Sequence, residues 1–148
     1  MTTLSPIKIY LDSNVVMKYI LEKDDALEKI FQLSKECKIE TYVSILSFQE
    51  IATSASLSQS IISYIDNIKD ILVNNNVNIF YNYDINLISG TVNVVVENLT
   101  YEDLLHLKIA ENIGVEYFIT YDKDILNKKS YGTIKIFEPS SFIQHFRR

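Results

Sequence analysis

With 148 residues, 47% of them apolar, the chain has the length of one domain and enough apolar side chains to bury a core. A charged fraction of 22% excludes a mostly disordered chain, and three Gly with two Pro are too few for a turn-dense β-sandwich. Fourteen Lys and Arg against nineteen Asp and Glu leave a net charge of −5, which argues against a basic nucleic-acid coat. It leaves open an enzyme that reaches nucleic acid through a divalent metal held by carboxylates.

No stretch reaches the ~20 apolar residues of a membrane helix, and residues 1–7 lack the basic and apolar regions of a signal peptide. The lone cysteine, Cys37, makes no internal disulfide and is expected as a small core residue. A cytoplasmic protein without a membrane partner, built as one domain over residues 1–148, is the expectation.

Ile7–Leu11 (IKIYL) reads as a buried strand ending at Asp12. Ser13–Leu21 follows with apolar residues at helical spacing. Asp24 and Asp25 open a second helix whose core stripe is Leu27, Ile30, Phe31 and Leu33. Residues 39–43 alternate as a strand, and Ser44 or Ser47 is placed to cap a helix carrying Leu46, Phe48, Ile51 and Ala52. An Ile-rich helix is expected over residues 57–74, a third strand over 77–81, and a helix over 84–98 in which Val92 and Val94 to Val96 favour strand instead. Thr100 starts a helix over 101–112 that stops at Gly114. A strand over 115–120, a helical turn over 122–127, a strand over 133–137 and a terminal helical turn over 140–146 complete the chain. This alternation predicts an α/β fold, a three-layer α/β/α sandwich with a mostly parallel central sheet.

In an open parallel sheet, sites form outside the carboxyl ends of the strands. Asp12 follows the first strand, and Asp122 follows the strand at 115–120 with Asp124 two residues on. Glu50 lies on a helix among apolar neighbours, and Asp103 sits in the first turn of the helix opened by Thr100. A carboxylate beside a buried face is costly unless paired, hydrogen-bonded or metal-bound. Each acid also has a purely structural use: Asp12 and Asp122 as helix caps, Asp103 in a capping box with Thr100, Glu50 as a half-exposed helix residue.

The segments carrying these acids resemble the motifs of PIN-domain nucleases. Tyr10-Leu11-Asp12-Ser13-Asn14 is similar to the opening motif, an apolar strand followed by Asp-x-Asn. Ser44-Ile45-Leu46-Ser47-Phe48-Gln49-Glu50-Ile51 resembles the second, with Glu on a helix after a short strand. The run from Leu99 through Asp103 to Ala110 resembles the third, and Tyr117-Phe118-Ile119-Thr120-Tyr121-Asp122-Lys123-Asp124 the fourth. Tyr121 departs from the small or amide residue common there, and Asp124 is an alternate for the fourth acid.

The resemblance implies an acidic pocket of Asp12, Glu50, Asp103 and Asp122. In it Asp12, Asp103 and Asp122 would hold Mg²⁺ or Mn²⁺, with Asn14 and Thr120 as supporting polar residues. It implies hydrolysis of RNA phosphodiester bonds to 5′-phosphate and 3′-hydroxyl ends; in the mechanism expected here, Glu50 orients the attacking water and accepts its proton. Small single-domain members are commonly VapC-type toxins, which implies an RNA substrate, a cognate antitoxin and a homodimer. Competing readings are an inactive PIN-like binding module and an RNA-processing nuclease that is not a toxin. A phosphoryl-transfer domain with Asp12 as nucleophile ranks below these, because Asn14 stands where a second acid is wanted. Lys18, Lys23, Lys108, Lys123, Lys128 and Lys129 are candidates to hold phosphates, and Tyr101 and Tyr121 to stack bases. Tyr10 and Tyr19 are expected in the core, and His106 and His145 have no ligand spacing and receive no role.

Overall fold

A computed structural model describes residues 5–22, 24–54, 61–81 and 84–146. The chain runs β1 (Ile7–Leu11), α1 (Ser13–Leu21), α2 (Asp25–Lys35), β2 (Ile39–Ser44), α3 (Ile45–Ser54), α4 (Ile61–Asn74) and β3 (Asn78–Phe80). It continues α5 (Ile85–Val92), α6 (Tyr101–Ile113), β4 (Tyr117–Ile119), α7 (Lys123–Leu126), β5 (Ser130–Tyr131), β6 (Ile134–Phe137) and α8 (Pro139–Phe146).

The six described strands form one sheet in the order β3-β2-β1-β4-β6-β5. All pairings are parallel except the short β5, which returns antiparallel on β6. The first three strands spread outward on one side of β1, and β4 then joins its other side. The order therefore reverses between β1 and β4, and the crevice of a doubly wound sheet opens at such a switch, past the carboxyl ends of the two strands.

Side chains on β1 alternate between two cores, as a strand buried on both faces requires. Ile9 and Leu11 join Val15, Val16, Leu27, Ile30 and Phe31 of α1 and α2 on one face. Tyr10 joins Leu105, Leu107 and Ile109 of α6, with Phe118 and Ile125, on the other. Each such side chain contributes about 1.5–3 kcal/mol by leaving water, and Tyr10 and Tyr19 are both buried as expected. Asp24 caps α2 through the Leu27 N–H at 2.9 Å. Gly114, at φ 86, ends α6 in the left-handed conformation that lets the chain turn back into the sheet.

Two expectations are corrected. The helix predicted over 84–98 starts with Asp84 as its cap but ends at Val92, and residues 94–96 are neither helix nor strand. Val95 is 92% exposed, so no packing rewards extending the helix through β-branched residues. Cys37 is exposed rather than in the core. It occupies the left-handed turn after α2 at φ 59, where backbone bonds from Cys37 to Ser34 and from Lys38 to Leu33 close the helix end. Along α4, Ile68 and Leu72 are buried and Ile65 and Ile71 pack half-buried against the core, while Val73 is exposed. The beginning of that expected helix, residues 57–60, lies outside the described residues.

Candidate active site at the sheet switch

Asp12 leaves β1 with its backbone N–H bonded to the Ile119 carbonyl at 3.0 Å, which fixes it between the ends of β1 and β4. Its side chain caps α1, accepting the Ser13 N–H at 2.8 Å on Oδ1. The other oxygen accepts the Thr120 hydroxyl at 2.8 Å and the Asn14 amide at 3.3 Å. Asn14 also donates to Thr120 Oγ1 at 3.2 Å and accepts the Tyr121 N–H at 3.0 Å. Thr120 Oγ1 in turn accepts the Asp122 N–H at 3.0 Å. Asn14 and Thr120 thus clamp the loop after β4 onto the start of α1 around one carboxylate.

Glu50 reaches this cluster from α3. Its Oε2 accepts the Ser13 hydroxyl at 3.0 Å, and its Oε1 is hydrogen-bonded to Nε2 of His106 on α6. His106 Nε2 also lies 3.7 Å from Asp12 Oδ1. On the far side of the ring, Nδ1 is 2.6 Å from the Tyr10 hydroxyl, which is 2.8 Å from Ser44 Oγ. His106 was passed over in the sequence because it belongs to no ligand motif. The signal that finds it is its position three residues after Asp103, on the same face of one helix.

Asp103 and Asp122 are held locally. Asp103 completes a capping box, its Oδ2 accepting the Thr100 N–H at 3.0 Å while Thr100 Oγ1 accepts the Asp103 N–H at 3.1 Å. Asp122 caps α7, its Oδ1 accepting the N–H groups of Asp124 at 2.9 Å and Ile125 at 3.3 Å. The structural uses foreseen for these acids are therefore real, and each leaves one carboxylate oxygen outside its cap. Asp124 is exposed and takes part through its backbone N–H.

The charges of these groups act on one another. Burial holds the Asp12 carboxyl above its usual range, against the pull of His106, Thr120 and Ser13. Burial also raises Asp103, opposed by its Thr100 cap and reinforced by the charge of Asp122. For Glu50, burial works upward but is outweighed by the His106 hydrogen bond and charge and by Ser13, so its pKa falls. For His106, burial works downward but is outweighed by Glu50, Asp12 and Asp103, so its pKa rises.

Among the described residues, no three His, Cys, Asp or Glu side chains are gathered into a formed metal site. Asp12 and Glu50 interact as one pair and Asp103 and Asp122 as another, while His106 feels the charges of Asp12, Glu50 and Asp103. The four acids offer hard oxygen donors, which suit Mg²⁺ or Mn²⁺. The raised carboxyls of Asp12 and Asp103 record a charge cost that a divalent cation would relieve, so the donor set fits such an ion.

A groove of ≈ 430 Å³ lined by Ser13, Asn14, Met17, Lys18, Glu50 and Ile51 runs along one side of Glu50. A smaller depression that also touches Glu50 is lined by Gln49, Thr53 and Glu102. Of the candidate lysines, Lys18 stands at the groove, paired with Asp24 at 3.6 Å and lying 4.4 Å from the centre of the Tyr121 ring. Lys108 turns to Glu111 and the Tyr131 ring, and Lys23 lies outside the described residues.

A PIN-domain family model matches residues 9–130. No curated protein sequence matches the chain. Among solved structures, the chain resembles one of Rickettsia felis VapBC2 bound to a DNA fragment from its promoter, with a TM-score of 0.63 at 13% identity over 89% of this chain and 98% of the other. DNA-bound VapBC from Salmonella typhimurium matches with a TM-score of 0.63 at 15% identity, over 90% of this chain and 98% of the other. Mycobacterium tuberculosis VapC20, a Sarcin-Ricin loop cleaving toxin, matches with a TM-score of 0.57 at 10% identity, over 86% and 98%. At these identities the likeness is one of fold.

Proposed function

The chain belongs to the PIN-domain family, and from that premise we propose that it is a divalent-metal-dependent endoribonuclease, the toxin of a type II toxin–antitoxin pair. The observation that carries the reading is the cleft itself. Asp12 and Glu50 both face His106 Nε2 past the end of β1, and the charge of His106 also reaches Asp103, which in turn feels the charge of Asp122. VapC20 is a toxin that cleaves the Sarcin-Ricin loop, and a cleavage role of that kind is carried here to this chain. The VapBC complexes among the structural relatives support a cognate antitoxin.

Mg²⁺ or Mn²⁺, held by Asp12, Asp103 and Asp122, would supply positive charge to a scissile phosphodiester and to the water that attacks it. Asp12 would be the central ligand, because its position is fixed from β1, α1 and β4 at once. Asn14 and Thr120 hold its carboxylate in one orientation. Asp103 and Asp122 present the oxygens left free by their caps. Glu50, whose pKa is lowered by His106 and Ser13, would stay ionised near neutral pH and would orient the attacking water at the edge of the groove. Lys18 is placed to meet a phosphate of the RNA strand, and Tyr121 beside it offers a ring for a base.

No helix among the described residues is long and apolar enough to cross a membrane, and a cytoplasmic location is part of the proposal. So is homodimerisation, supported by exposed Ile85 and Val92 on α5 and Val95 just beyond it. Sedimentation as a monomer at micromolar concentration would remove the dimer.

The test is incubation of the purified protein with mixed-sequence single-stranded RNA in EDTA, Mg²⁺ or Mn²⁺, alongside Asp12→Asn and Asp103→Asn. Cleavage that needs metal and is lost in both variants supports the nuclease. A folded wild type that binds Mn²⁺ calorimetrically, yet cuts neither this RNA nor ribosomal RNA, would favour the binding-module reading.

A further inference from the structure

His106 is 2% exposed, yet its ring ends at the carboxylates of the cleft. A buried imidazole and a buried phenol are tolerated only when their polar atoms are satisfied, and here they satisfy each other. The bonds run without a break from Ser44 at the end of β2, through Tyr10 on β1 and His106 on α6, to Glu50 on α3. The Tyr10 and His106 rings meet edge to face at 5.7 Å between centroids, which fixes the imidazole plane as well as its bonds.

Nε2 faces two carboxylates, Glu50 at hydrogen-bond distance and Asp12 at 3.7 Å. Ionised carboxylates only accept, so Nε2 carries the proton. Glu50, by contrast, sits on a long side chain that is about one-third exposed and has many rotamers of its own.

We infer that His106 is a positioning residue: anchored by Tyr10 and Ser44, its Nε2–H holds the Glu50 carboxylate turned toward Asp12 and so sets where Glu50 can act. Because α6 also carries Asp103 one turn earlier, the same helix registers both halves of the cleft. This role rests on the nuclease reading above for its catalytic meaning and on the hydrogen bonds alone for its geometry.

Two measurements test it. In the metal-free ¹⁵N-labelled protein, the His106 Hε2 proton is expected as a slowly exchanging, downfield ring resonance that is lost in Glu50→Ala. In the cleavage assay, His106→Ala is expected to lower kcat about 10–100-fold with KM little changed, the range seen when a supporting partner of a metal site is removed. His106→Gln, which keeps an N–H near the place of Nε2, should recover part of the loss. Tyr10→Phe, which keeps the ring and removes the anchor, should cost a few-fold. The double variant Glu50→Ala/His106→Ala should be no slower than Glu50→Ala.

Wild-type kcat in folded His106→Ala, fully additive losses in the double variant, or a ring proton indifferent to Glu50→Ala would each overturn the role. If His106→Ala does not fold, His106→Gln and Tyr10→Phe decide it. A wild type with no metal-dependent cleavage overturns the nuclease reading, whereas cleavage that ignores His106 overturns only this one.

Discussion

Asp12 and Asp122 each follow a strand and each cap the next helix, yet their carboxylates live in different surroundings. Asp12 is 5% exposed and is held by Thr120, 108 residues away in sequence, and by Asn14, with His106 alongside. Asp122 is half-buried, and its hydrogen bonds go to residues two and three positions on. Asp103 is held in the same local way as Asp122, through its capping box with Thr100. One half of the site is thus built from long-range contacts, and burial raises a carboxyl in each half, Asp12 in this one and Asp103 in the other. The other half is built from helix ends, which form wherever the helices form. The lesson is that the buried half is pre-organised and unforgiving, while the rim half has room to adjust around a ligand.

The sharpest way to break this contrast is substitution that keeps shape and removes charge. Asp12→Asn is expected to reduce metal-dependent RNA cleavage by more than about 100-fold, beyond the 10–100-fold typical of losing a supporting residue. Asp122→Asn, which can still cap α7, is expected to cost about 10-fold. Equal losses in the two variants, measured as kcat/KM on one RNA, would erase the distinction.

Metal binding sharpens it next. A cation at 100 times its Kd stabilises the folded state by about 2.7 kcal/mol, several degrees of Tm for a chain of this size. Differential scanning calorimetry with and without Mn²⁺ should show that gain in wild type and in Asp122→Asn at higher Mn²⁺, and lose most of it in Asp12→Asn.

Without metal the sign reverses. Burial raises the folded pKa of Asp12 above its unfolded value, so the ionised form costs stability above that folded pKa. The cost fades as pH falls through it. Metal-free Asp12→Asn should therefore melt above wild type at pH 7.5, with the gap narrowing toward acid pH. A wild type that melts higher at every pH would show that the hydrogen bonds to the carboxylate outweigh its burial.

The smallest effect belongs to the rim. Thr100→Ala removes half of the α6 capping box and should cost about 1 kcal/mol, roughly 2–4 °C in Tm. Because the Thr100 N–H remains to hold Asp103, cleavage should stay within a few-fold of wild type.

Much of this protein was legible from the residues. The strand Ile7–Leu11, the helix Ser13–Leu21 and the helix opened by Thr100 follow from local apolar spacing and capping chemistry, and the structure has them at or near the expected bounds. The Thr100–Asp103 capping box was readable because both partners lie within one helical turn. The parallel order followed from strand–helix alternation, and the family motifs gathered the four acids into one expectation. The early end of α5 and the exposure of Cys37 were not legible, since each depends on what packs nearby or on which residue a turn takes in the left-handed conformation.

What the chain's order of residues determined is thus the local inventory: which segments are strands and helices, which residues cap them, and which acids stand at their ends. Only the tertiary structure decided that Asp12 is buried against Thr120, that Glu50 meets His106, and that Tyr10 anchors the ring from below. Those contacts join residues 56 to 108 positions apart, and no local propensity encodes them. They arise because β4 docks beside β1 rather than beyond β3, which brings the first and last thirds of the chain to one sheet end.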